Sequence, residues 1–182
     1  MGYRAKPNKG DKYSQGKYNL LNPPKYLGDP TCIYFRSSWE YKLYFFLDNN
    51  PRVLKWNVEG VTIPYEIMEN QKWTTNRYYP DAYCEILKLD GSISKVVIEI
   101  KPWNEYSPGS KKGTETENTP LLPPIPPQSK TLKALENYEY KLKTFQKNIL
   151  KWKAAKNFCD KKGLEFYVLT ERAFNETGVK LF

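Results

Sequence analysis

Two carboxylates and a lysine are spaced so that they can act together: Asp81 in the run YPDAYCEIL, and Glu99 and Lys101 in the run KVVIEIK. Carboxylate oxygens are the hard ligands that Mg2+ takes, usually one or two of them, completed by water and phosphate oxygens. A lysine beside them can orient a nucleophilic water or neutralise charge developing on phosphorus. Together the three are the parts of a metal-dependent phosphodiesterase, with Mg2+ the expected ion and Mn2+ its substitute.

Convergence of the three requires one register. Leu89, Asp90 and Gly91 suit a three-residue hairpin loop, with Gly91 supplying the left-handed position such loops demand. A hairpin centred on Asp90 sets Asp81 opposite Glu99. Alternation then puts Glu99 and Lys101 on one face and Val96, Ile98 and Ile100 on the other. Directly opposed residues have Cβ atoms roughly 5 Å apart, and a slip of one residue would carry Asp81 to the wrong face. An ordinary amphipathic hairpin with its charges in water is the plainer reading. Two carboxylates facing one another repel, however, which a merely solvated face has no reason to prefer.

The surrounding elements must hold that hairpin. A helix is expected from Ser37, with Ser37 or Ser38 as its cap, Glu40 in the first turn, and Asn49, Asn50 and Pro51 as its stop. Trp39, Leu43, Phe46 and Leu47 form its apolar face. A strand over residues 61–67 turns near Glu69 and Asn70 before the hairpin. Residues 104–129, with LLPPIPPQ, form a Pro-rich loop unsuited to helix or inner strand. A long helix over 132–162 carries Leu135, Tyr138, Leu142, Phe145, Ile149, Trp152, Ala155 and Cys159 as a continuous core stripe. Gly163 ends it, and a strand follows over 164–170. Residues 1–31 read as a basic arm, since Arg4, Lys6, Lys9, Lys12, Lys17 and Lys25 outnumber Asp11 and Asp29 and little there could be buried. Residues 32–182 form the domain that carries the chemistry.

Charge and composition narrow the partner. The net charge of +9 with 15 tyrosines and 5 tryptophans suits a phosphate backbone and stacked bases, so DNA is the expected partner. Lys143, Lys147 and Lys151 stand at successive i+4 positions, where like charges cost roughly 0.2–0.5 kcal/mol per pair. Bound phosphates would relieve that repulsion, although a run of charge can also be a solvated face. With Arg36, these three are the candidate nucleic-acid contacts. No histidine is present, which removes Ser-His and Cys-His nucleophile pairs and histidine metal sites. Cys32, Cys84 and Cys159 are scattered and odd in number, which argues for a reducing compartment and against zinc. No apolar run approaches the ~20 residues of a membrane span.

In their order, Glu40 on a helix, the Pro-Asp strand, the acid-x-Lys strand and then a helix and strand resemble the PD-(D/E)xK nuclease superfamily. FRSSWEYKL, VEGVTIPYE, RYYPDAY, IEIKP, KWKAAKNFC and LEFYVLTE are similar to the TnsA-type transposon endonucleases. With NPPKYLGD and the proline-rich passage after IEIKP, they are still more similar to the head completion nucleases of T4-type tailed phages. The matches span most of residues 18–174. The resemblance implies an α/β fold like that of restriction endonucleases, with a mixed central sheet flanked by helices. It implies Asp81, Glu99 and Glu40 as metal ligands, with Lys101 the catalytic lysine. It implies cleavage of packaged DNA in the host cytoplasm before a neck or tail is joined, beside portal, neck or head proteins and with no membrane partner. Two competing readings are a transposon-type or junction-resolving endonuclease, and a non-catalytic DNA-binding head or connector protein.

Overall fold

The structure, a computed structural model, describes residues 15–69, 71–110, 121–175 and 178–179. The first fourteen residues of the expected arm, the turn residue Asn70 and positions 111–120 of the Pro-rich loop lie outside the described residues. In chain order the elements are β1 (Gly16–Lys17), β2 (Tyr34–Phe35), α1 (Ser38–Asn49), β3 (Val53–Val58), β4 (Ile63–Glu69), β5 (Lys72–Tyr78), β6 (Ala82–Leu87) and β7 (Ile93–Ile100). They continue with α2 (Trp103–Tyr106), α3 (Leu132–Lys162), β8 (Glu165–Leu169), β9 (Phe174–Asn175) and β10 (Gly178–Val179).

Four strands form the central sheet in the order β3-β6-β7-β8, antiparallel except for the parallel pair β7 and β8. The mixed sheet expected from the resemblance is therefore present. Alternation decides which helix covers which face. Cys84, Ile86, Val96 and Ile98 project to the side of α1, where they pack with Leu43, Tyr44, Leu47 and Trp56 in the main core. Phe166, the register partner of Val97, projects the other way and meets Ala154 and Phe158 of α3 together with the β4–β5 hairpin. Glu99 alternates with Ile98 and Ile100, so it lies on the α3 side.

Local chemistry explains the ends of the helices. Ser37 caps α1, its Oγ accepting from Glu40 N at 3.1 Å. Asn50, held extended before Pro51, stops it. Gly163 ends α3 in the left-handed conformation at φ 65°, and Leu164 N donates to Cys159 O at 2.9 Å in a Schellman arrangement. Lys161 and Lys162 fall in the last turn, where cations favour the helix dipole.

Two expectations differ from what is found. The stripe on α3 is not core along its whole length: Leu135 is 42% exposed, and full burial begins at Phe145. At 31 residues the helix is about 46 Å long, whereas the eight-residue β7 spans about 26 Å, so the first turns run past the sheet. Residues 15–31 are also not a detached arm. Tyr18 is buried, its N–H donates to Ile33 O at 2.8 Å, and β1 pairs with β2. Lys25 Nζ donates to Asp48 O and Asn50 O at 3.1 and 2.8 Å, satisfying carbonyls at the end of α1.

Candidate active site

The β6–β7 hairpin has the register that the turn predicts. Ala82 lies opposite Ile98 and Leu87 opposite Ile93, so continuing the ladder by one residue sets Asp81 opposite Glu99. Lys88 N donates to Ser92 O at 2.8 Å around a loop in which Gly91 takes φ +83°. Asp81 Oδ2 accepts from Ile100 N at 2.7 Å, which pins its carboxylate to the end of β7. Lys101 Nζ meets Glu99 Oε1 at 2.9 Å, with Glu99 buried and Lys101 largely so. Lys101 N in turn donates to Leu169 O at 2.8 Å, so β8 fixes the backbone from which the ammonium extends. Trp103 N donates to Glu171 Oε2, and the Trp103, Tyr106 and Trp152 rings stack in sequence at 5.3 and 5.5 Å, tying the chain after Lys101 to α3.

Electrostatics keep Lys101 charged. Burial pulls the Lys101 ammonium down, but the Glu99 and Asp81 charges and the Glu99 hydrogen bond outweigh it, and the net shift is upward. Lys101 is thus a cation throughout the neutral range, suited to stabilising negative charge rather than to accepting a proton. Lys151 reaches the same place from α3. Its Nζ stands 5.3 Å from the Tyr78 ring centroid and 6.0 Å from that of Tyr65, a cation–π geometry. Burial lowers its pKa, the Lys101 and Lys147 cations add to the shift, and Glu99 and Asp81 oppose it. Lys143 and Lys147 lie further out on the helix, both exposed.

Sequence reasoning missed Tyr78. Its hydroxyl is buried without a hydrogen bond of good geometry, yet lies within electrostatic reach of Glu99 and Asp81. Burial first, then the Glu99 charge and a hydrogen bond to Glu99, and then the Asp81 charge push the phenol far above its ordinary range. Tyr78 therefore remains a donor, at a position three residues before Asp81 that RYYPDAY displays but does not explain.

Glu40 does not join this group. Its Oε2 accepts from Arg36 N at 3.0 Å and from the Tyr44 hydroxyl at 3.3 Å. With Ser37 accepting from Glu40 N, this is close to a capping box, in which an acid at the third helical position reaches back to the incoming backbone. Among the described residues no three acidic, cysteine or histidine side chains gather closely enough to hold one ion. The three-carboxylate site Asp81, Glu99 and Glu40 is thus not assembled, because α1 packs on the opposite face of the sheet from Glu99. Arg36 is exposed, and its backbone N–H donates to Glu40. Glu40→Gln is accordingly expected to keep DNA cleavage within about threefold of wild type and to lower stability by about 1 kcal/mol, the scale of a helix cap. Parallel cleavage and thermal melts check this; a hundredfold loss of cleavage at unchanged stability would return Glu40 to the chemistry.

Two carboxylates on adjacent strands suit a hard cation that completes its shell with water and phosphate oxygens. The buried Tyr78 hydroxyl, whose interaction with Glu99 helps keep it protonated, places a neutral donor beside the two carboxylates. The residues fit such an ion with Asp81 and Glu99 as its protein ligands.

Comparison with known proteins supplies the family. Residues 50–171 match the family described as TnsA-like endonuclease N terminal. The chain is 34% identical over 165 residues to the head completion nuclease of Enterobacteria phage T4, covering 91% of this chain and 96% of that protein. No solved structure matches.

Proposed function

This chain belongs to the TnsA-like endonuclease family, and from that premise we propose that it is a metal-dependent deoxyribonuclease acting in the completion of phage heads. The observation that carries the reading is the buried Lys101–Glu99 pair at 2.9 Å, beside an Asp81 carboxylate anchored on β7. Asp81 and Glu99 would hold Mg2+, or Mn2+ in its place. Such an ion supplies Lewis-acid polarisation of a phosphate and acidifies a bound water.

The chain's own residues do the rest. Lys101 presents a fixed ammonium to the phosphate on which charge develops, in a partly buried site where such contacts are stronger than in water. Tyr78 donates its hydroxyl to a water or phosphate oxygen. Lys151 adds a second cation on the α3 side, and Lys143 and Lys147 extend positive charge outward along the helix for the DNA backbone. The name of the T4 relative, head completion nuclease, supports nuclease action in head completion; DNA as the substrate, and head, portal or neck proteins beside it in the host cell, belong to the proposal. Among the described residues no helix is long and apolar enough to cross a membrane.

Chelation tests the metal. With a labelled duplex, EDTA should reduce cleavage to background and excess Mg2+ or Mn2+ should restore it. Ca2+ should permit binding but support little cutting, because its looser coordination positions the attacking water poorly. Undiminished cleavage in excess chelator, measured beside an Asp81→Ala control, would remove Asp81 and Glu99 from metal binding.

A further inference from the structure

Between α3 and the tip of the β4–β5 hairpin lies a groove of about 1010 Å3. Met68, Trp73, Tyr140, Lys143, Gln146 and Lys147 are among the residues that line it. Met68 and Trp73 are register partners at the hairpin tip, 55% and 62% exposed, and Tyr140 across from them is 72% exposed. Large aromatics bared in a concave surface mark a binding site rather than a packing face. Lys143 and Lys147 are one helical turn apart, and Lys151, one turn further, stands over Tyr78 next to the acids. The groove therefore opens along α3 toward the candidate active site, over about 12 Å from Lys143 to Lys151 at the helical rise.

We propose that this groove binds an unpaired DNA strand, its bases stacking on Trp73 and Tyr140 and its phosphates meeting Lys143 and Lys147. For its position relative to the cut bond the inference rests on the nuclease reading. The aromatics select the strand form: every unpaired base offers a π-face, whereas in a duplex those faces are consumed by neighbouring bases. The charge selects nucleic acid over an acidic or apolar peptide. Among the described residues lining the groove Glu69 is the one acid against two lysines, and it stands opposite Lys72 in the hairpin register. A strand so held would be led past Lys151 to Lys101, which makes a frayed or single-stranded DNA end the expected substrate of this face.

Fluorescence anisotropy on the full chain tests this, in EDTA so that no cleavage intervenes, with a labelled oligo(dT) and a blunt duplex as probes. Trp73→Ala and Tyr140→Ala should each weaken oligo(dT) binding by about tenfold, the scale of one lost base–aromatic stack, while duplex binding stays within about twofold. Both side chains are exposed, so melting temperatures should be unchanged and confirm the fold. Lys143→Ala with Lys147→Ala should reduce the salt dependence of oligo(dT) binding by about 0.7 log-log units for each lysine. Unchanged oligo(dT) binding in the double aromatic variant overturns the proposal, as does an equal loss on both probes or a groove filled only by a protein partner. If wild type cuts no DNA with Mg2+ yet still binds oligo(dT) through Trp73 and Tyr140, the nuclease reading falls and the groove assignment stands.

Discussion

Lys101→Ala is expected to lower the cleavage rate by about a hundredfold or more while leaving duplex binding nearly unchanged. The magnitude is that of losing one preorganised electrostatic partner of a transition state, about 2.7 kcal/mol of barrier. The effect should appear in kcat rather than in KM, since the ammonium is paired with Glu99 in the ground state and gains most when charge builds on phosphorus. Lys101→Arg should recover only part of the rate, because a planar guanidinium cannot occupy a point-charge position without moving Glu99. The pH profile carries a sign. With its folded-state pKa raised by Glu99 and Asp81, Lys101 stays charged through neutrality, and activity should not decline from its deprotonation until well above the ordinary lysine range. Single-turnover rates for wild type, Lys101→Ala and Lys101→Arg between neutral and alkaline pH check all three points. Full activity in Lys101→Ala would make this strand face structural.

What the sequence displayed and what it concealed divide along physical lines. The β6–β7 register was legible because Gly91 marks the turn and strict alternation over Val96, Ile98 and Ile100 marks the buried face, so Asp81 and Glu99 had one arrangement available. The bounds of α3 were legible from its stop at Gly163. Two strands were not. In β3 the register shifts between Val53 and Lys55, which breaks the period-2 pattern that identifies a strand. In the β4–β5 turn Gln71 adopts φ +61°, a position glycine ordinarily marks, so the turn expected near Glu69 and Asn70 did not read as a hairpin leading into β5. Missing β5 hid Tyr78 and Trp73 together. Glu40 is ambiguous for another reason: an acid at the third position of a helix serves a cap and a metal equally well, and here its carboxylate bonds Arg36 N and the Tyr44 hydroxyl.

Asp48 was hidden most completely, since an acid near the end of an amphipathic helix ordinarily faces water, and it carries the other large effect. Its carboxylate is fully buried. Oδ2 accepts from the Tyr18 hydroxyl at 3.0 Å and from Leu21 N at 2.7 Å, and Oδ1 accepts from Asn22 N at 3.0 Å. One side chain thus ties residues 18–22 to α1, and burial together with the Asp48 charge raises the Tyr18 pKa so that the phenol remains a donor. Asp48→Ala removes three acceptor contacts and strands a buried hydroxyl and two amides, at about 1–3 kcal/mol for each group that water cannot reach. Because Leu21 and Asn22 are partly exposed and can recover water, the expected net loss is about 3 kcal/mol, or roughly 6–12 °C in Tm for a chain of this size. Asp48→Asn keeps one acceptor oxygen and should lose about half as much. Neither change touches the α3 face of the sheet, so cleavage per folded molecule, measured well below the transition, should match wild type. Thermal melts and cleavage assays run together decide the matter: an unchanged Tm in Asp48→Ala would mean that Tyr18 packing, the β1–β2 pairing and the Lys25 bonds hold residues 15–31 without the Asp48 carboxylate, and a loss of cleavage at full stability would tie this segment to the active site.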